Sequence, residues 1–161
     1  MTERGGGQDA LTRVGALLAK QGRDAEFLEE ERTYQMDFGG PNGDFLVYVR
    51  VPADVDLLLC YSAYLSDVPV ERRVAATELV TRLNYGLRLG NFELSLEDGE
   101  LRFKSSLDLR GIELTDRLLS NVLMACVNGM SRYLPSIRAF VEEGRSATEA
   151  IALVEGAQVP G

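Results

Sequence analysis

Between Thr81 and Asn91 the periodicity of the chain changes. Before this stretch apolar residues recur at three- and four-residue spacing (Val70, Val74, Leu79, Val80, Leu83), and after it they alternate (Phe92, Leu94, Leu96). The first spacing keeps side chains on one face of a helix and the second keeps them on one side of a strand, so a helix hands over to a strand here. Gly86 and Gly90 lie in the junction, where each can take the positive φ that ends a helix and turns the chain. With alternating runs on both sides of this joint, the fold class is α+β.

Upstream, Met1 to Gln8 is polar and glycine-rich, cannot offset its own ordering entropy, and is expected to be disordered. Asp9 can cap a first amphipathic helix with Leu11, Val14, Leu17 and Leu18 on its buried stripe, closed by Gly22. A first strand alternates Tyr34, Met36 and Phe38 against Thr33, Gln35 and Asp37. The turn Gly39-Gly40-Pro41-Asn42-Gly43 joins it to a second strand, Phe45 to Val51. That glycine-rich turn lacks the lysine and following helix of a phosphate-binding loop. A third strand runs from Val55 to Leu65, and Ser66 or Asp67 with Pro69 opens the second helix. Beyond the joint, Glu97-Asp98-Gly99-Glu100 separates two further alternating runs, a strong hairpin signal. Thr115 opens a long helix to about Glu143, interrupted by Pro135, which should kink or break it. Ser146-Ala147-Thr148-Glu149 has capping-box spacing and starts a last short helix. The expectation is one domain over residues 9–154, with an antiparallel five-stranded sheet, helices packed on one face, the order α-βββ-α-ββ-α, and a frayed end at 155–161.

Two surfaces do not read as ordinary solvated faces. In the second and third strands the set opposite Phe45, Val47, Val49 and Val51 is not cleanly polar, and Leu46, Tyr48, Leu58, Cys60 and Tyr64 are assigned to one apolar patch. It is covered by the domain itself or a second copy, or it docks another partner. On the long helix no charged residue occurs between Arg117 and Arg132, so the side opposite the core stripe carries Asn121, Met124, Ala125 and Asn128. Such a face is usually covered, here by a second subunit or by the chain's own first helix or tail. Small residues at Ala125 and Gly129 would let another backbone approach.

Catalytic chemistry finds little support. The chain has no histidine, and its two cysteines, Cys60 and Cys126, lie far apart in sequence inside apolar segments, so they read as packing thiols and no metal or cofactor is expected. Glu29-Glu30-Glu31 and the pair Asp54 and Asp56 are better explained as solvated surface than as acid–base groups. A net charge of −8 argues against a nucleic-acid backbone as the main ligand. Arg72, Arg73 and Arg82 form a weak local exception, read as a solvated face balanced by Glu71 and Glu78. No apolar run approaches the roughly 18 residues that span a bilayer, and the start does not resemble a signal peptide, so a cytoplasmic protein is expected.

The element order, together with Leu83-Asn84-Tyr85, Leu89-Gly90-Asn91-Phe92-Glu93-Leu94 and Asp98-Gly99-Glu100-Leu101-Arg102-Phe103, resembles the YbjN-like family, sometimes labelled bacterial sensory transduction regulators. Ser106-Leu107-Asp108-Leu109, Glu113-Leu114-Thr115 and Tyr133-Leu134-Pro135 look like that family's pattern too. Its fold is similar to that of type III secretion chaperones. The resemblance implies a small, dimeric, non-enzymatic protein that binds a segment of another protein, chaperone- or adaptor-like, and it transfers no catalytic residues. The alternatives are an enzyme, which lacks convergent acid–base groups, and a regulator that senses a small ligand between sheet and helix.

Overall fold

The structure is a computed structural model, and it describes residues 6–156. Helix α1 spans Gly6–Lys20, so Gly6, Gly7 and Gln8 of the stretch expected to be disordered are helical, and its first five residues lie outside the described region. Strands follow at Glu26–Leu28 (β1), Thr33–Gly40 (β2), Gly43–Arg50 (β3) and Leu57–Ala63 (β4). After a 3-10 turn at Val70–Arg72 come helix α2 (Arg73–Asn84), β5 (Asn91–Leu94), β6 (Leu101–Asp108), α3 (Asp116–Val141) and α4 (Ala147–Glu155). All neighbouring strands pair antiparallel in the order β1-β2-β3-β4-β6-β5. The sheet therefore has six strands, not the expected five. The additional strand, β1, is three residues long, too short for alternation to reveal it, and it exists because it pairs with β2.

Helices cover one face of the sheet. There α3 lies across β3, β4 and β6, α2 packs beside β5, and α4 fills the angle between α2 and α3. Phe45, Val47, Val49, Leu58, Cys60, Phe92, Leu101 and Phe103 of the sheet meet Leu119, Leu123, Cys126, Met130, Leu134 and Ile137 of α3 in one core. Phe92 and Phe103 meet edge-on at 5.0 Å, and a Cβ on Gly129 would come within 2.5 Å of the Phe103 ring. Gly129 is thus small so that α3 can approach the sheet, not so that a second backbone can approach α3.

Of the caps read from sequence, those of α3 and α4 form, whereas Asp9 lies inside the first turn of α1, and α2 starts after Arg72 with no side-chain cap rather than at Ser66 or Asp67. Thr115 accepts a hydrogen bond from the Leu118 amide, and Ser146 and Glu149 complete a capping box. On α2 the buried residues are Ala76, Leu79 and Leu83, whereas Val70 and Val74, assigned to the same stripe from spacing, are 71% and 79% exposed. The arginines at this end hold structure. Arg73 donates to the carbonyls of Val68, Leu96, Glu97 and Asp98, clasping the β5–β6 turn, while Arg72 stacks on Phe140 and donates to the Arg145 carbonyl. Arg82 alone pairs with Glu78 as a solvated face would.

Candidate functional site

The sheet face turned away from the helices is the most unusual surface. Register puts Tyr48 opposite Tyr61 and Arg50 opposite Leu59, so Leu46, Tyr48, Leu57, Leu59 and Tyr61 share this side. All five are half-buried, and none belongs to the core or packs against it. A charged border lies toward β6 and β5. There Arg102 stands 4.2 Å over the Tyr61 ring and donates to Glu93 at 3.1 Å, and Lys104 also pairs with Glu93. Burial pushes the Glu93 carboxyl up, but the hydrogen bonds from Lys104 and Arg102 outweigh it and hold the group below its ordinary value. The Tyr48 hydroxyl is pushed up by partial burial and then by the carboxylates of Glu100, Glu31 and Asp37. The result is an apolar strip two strands wide, edged by paired charges.

The structure separates the five residues assigned from sequence to one patch. Leu46 and Tyr48 are on the open face, but Leu58, Cys60 and Tyr64 point the other way, with exposures of 0%, 1% and 8%. Both faces of β4 are apolar, so alternation alone could not choose between them. Burial, and then the hydrogen bond that the Tyr64 hydroxyl donates to the Glu142 carboxylate, keeps the phenol protonated well above its ordinary range. Leu57, Leu59 and Tyr61 are the residues that sequence reasoning missed. They were visible as the apolar alternate set of the third strand.

Neither edge of the sheet is freely open to a further strand. β1 offers three residues. At β5 the side chain of Asn84 occupies the edge, its Oδ1 accepting from the Phe92 amide at 2.7 Å and its Nδ2 donating to the Phe92 carbonyl at 3.0 Å. These two bonds are the ones an added strand would make.

On α3, Asn121, Met124 and Asn128 are exposed and Ala125 is half-buried, so among the described residues neither α1 nor α4 covers this stripe. α1 instead lies to one side of it, held by Lys20 to Asp116 at 2.6 Å and Gln21 to Ser120 at 3.0 Å. Cys60 and Cys126, remote in sequence, meet in the core. The Cys126 thiol donates to the Cys60 carbonyl at 2.9 Å, and hydrogen bonding with Cys126, with burial added, raises the Cys60 thiol well above its ordinary range. The Cys60 thiol, held in this way, is protonated and unreactive at neutral pH. Among the described residues there is no cluster of metal-ligating side chains, and no helix is long and apolar enough to cross a membrane.

A family profile described as "Putative bacterial sensory transduction regulator", YbjN, matches residues 10–139. The chain belongs to the YbjN family. Among solved structures, the fold is similar to "YbjN, a putative transcription regulator from E. coli", at a TM-score of 0.62 and 12% identity, covering 83% of this chain and 93% of that one. A second similar structure, the ExsC-ExsE complex, gives a TM-score of 0.46 at 14% identity, covering 78% of this chain and 96% of that one. Among curated proteins no sequence matches significantly. The Asn84 clamp, the Arg73 clasp on the Asp98-Gly99 turn and the α3 N-cap all fall inside the YbjN match.

Proposed function

We propose that this YbjN-family chain is a non-enzymatic, cytoplasmic protein-binding module, chaperone- or adaptor-like, that acts as a homodimer and holds a segment of a partner protein on its open sheet face. The observation that carries this reading is the strip of Leu46, Tyr48, Leu57, Leu59 and Tyr61, five large side chains gathered on a sheet face to which, among the described residues, no helix returns. Antiparallel sheets with one bare face normally present polar residues there. With the β5 edge taken by Asn84 and β1 short, docking onto the face is favoured over addition of a strand. The partner segment presents an apolar side to Tyr48, Leu59 and Tyr61. The α3 stripe of Asn121, Met124, Ala125 and Asn128, on the opposite side of the molecule, serves the second copy.

The test is affinity capture from native lysate with wild-type protein and with Tyr48→Asp and Leu59→Asp. Both variants are expected to fold, because their side chains are half-exposed and lie outside the core. One stoichiometric protein held by the wild type and lost from both variants supports the reading. A captured protein retained by both variants would move the binding surface elsewhere on the molecule.

A further inference from the structure

The apolar strip on the open sheet face is bounded on both sides. β3 and β4 supply Leu46, Tyr48, Leu59 and Tyr61, while the flanking strands turn polar residues outward, Gln35 and Asp37 on β2 and Arg102, Lys104 and Ser106 on β6. Neighbouring strands lie about 4.8 Å apart, so two of them offer apolar ground about 10 Å across, the diameter of one α-helix. From Asp44 to Arg50 the strip runs for about 20 Å at about 3.3 Å per residue, the length of a helix of about 13 residues. A segment laid flat on a sheet face receives no backbone hydrogen bonds from it. With β1 short and Asn84 on the β5 edge, an extended segment would press unpaired peptide groups against leucine and tyrosine side chains, whereas a helix satisfies them internally.

The two borders of the strip differ in charge. Toward β6, Arg102 and Lys104 are already paired with Glu93 and Glu100, so that side asks for no charge from an occupant. Toward β2, register sets Asp37 beside Leu46 and Glu26 beyond Gln35, and alternation along β3 puts Asp44 on the same side as Leu46. All three carboxylates are exposed and in no ion pair with a described residue, and β1 and β2 place no basic residue on this side. Arg50, the only cation of β3, stands at the far end opposite Leu59 and does not neutralise them. A second copy of the chain fits this border poorly, because it brings the same net charge of −8. Given that the open face holds a partner segment, we infer that the segment is a basic amphipathic helix, its apolar side on Leu46, Tyr48, Leu59 and Tyr61 and its lysines or arginines over Asp37, Asp44 and Glu26.

The experiment titrates three synthetic peptides into the full chain. They share a leucine and alanine face and differ only along one flank, which carries lysine, glutamine or glutamate. Affinity is followed by calorimetry, the contact by the tyrosine ring signals in NMR, and the peptide's conformation by far-ultraviolet dichroism. The lysine peptide is expected to gain helix, to shift the Tyr48 and Tyr61 signals, and to bind about tenfold more tightly than the glutamine peptide, with glutamate weakest. Raising the salt to about 0.5 M should erase the preference. Asp37→Asn with Asp44→Asn, at exposed positions outside the core, should bring the lysine and glutamine peptides to equal affinity with the fold intact. The inference is overturned if those two peptides bind wild type alike, if the paired asparagine variant keeps the preference, if no helix is gained, or if none of the three binds. A protein captured from lysate that Tyr48→Asp and Leu59→Asp lose, but the asparagine variant holds at full affinity, overturns the basic helix and keeps the protein-binding reading. Peptide binding that neither Tyr48→Asp nor Leu59→Asp weakens overturns both.

Discussion

Asn84 gives the sheet edge what a further strand would give it. Its side-chain amide presents one acceptor and one donor to Phe92, matching the outward amide and carbonyl of an edge residue. Gly90, at φ +71°, makes the turn that brings β5 alongside, and a Cβ there would meet the Phe103 ring at 2.3 Å. Replacing Asn84 by Ala leaves both backbone groups of Phe92 without this partner, a cost of about 1–3 kcal/mol. The urea midpoint should fall at unchanged slope, and light scattering should show association that grows with concentration, because a bared edge pairs with other chains. Asn84→Asp, which keeps the acceptor and loses the donor, should fall between. A midpoint unchanged in Asn84→Ala would mean that the edge is held by something other than this clamp. Sequence alone showed Asn84 as part of a helix-ending motif. Its role was hidden because which strand groups point outward depends on register, which no single residue encodes.

At the scale of elements, α3 runs from Asp116 to Val141 without the break that Pro135 predicts. Proline has no N–H, so the Ser131 carbonyl one turn earlier loses its helical partner. The β2–β3 turn supplies a replacement. The Asn42 side chain donates to the Ser131 carbonyl at 2.8 Å, and Arg138 donates back to the Asn42 carbonyl at 3.2 Å. The turn that read as a plain hairpin connection is thus also the clasp that fastens the sheet to its main helix. Asn42→Ala should cost about 1–2 kcal/mol in the wild type, because it strips the partner from a part-buried carbonyl. In a Pro135→Ala background the restored N–H can take that carbonyl, and the same change should cost less. A double-mutant cycle by chemical denaturation should give a coupling of about 0.5–1 kcal/mol, and equal costs in both backgrounds would show the clasp and the proline to be independent. Much at this scale was legible from the sequence, namely the helix-to-strand joint, the Thr115 and Ser146 caps and the Asp98-Gly99 turn. The strand faces were not, because Leu57, Leu59 and Tyr61 are as apolar as Leu58, Cys60 and Tyr64, and only pairing with β3 and β6 decides which set meets the helices.

For the whole molecule, two surfaces remain without an occupant among the described residues, and they face opposite ways. The open sheet face is apolar with a charged border, and the α3 stripe carries Asn121, Met124 and Asn128 with no charge between Arg117 and Arg132. If α3 joins two copies, Ala125→Arg with Asn128→Glu puts bulk and two ionic groups into the symmetric contact, where desolvation outweighs what their pairing returns, and a folded monomer should result. Light scattering should then give the mass of one chain for the double variant and of two for the wild type. Tyr48→Asp should leave the mass at two chains. Because Ala125 and Asn128 are not core residues, the double variant should keep its far-ultraviolet dichroism and lose little stability beyond the lost association. The reverse pattern, a monomer from Tyr48→Asp and a dimer from the α3 variant, would assign the open face to the second copy. It would also remove the surface on which partner binding rests, so the pair of measurements decides between one shared face and two separate ones.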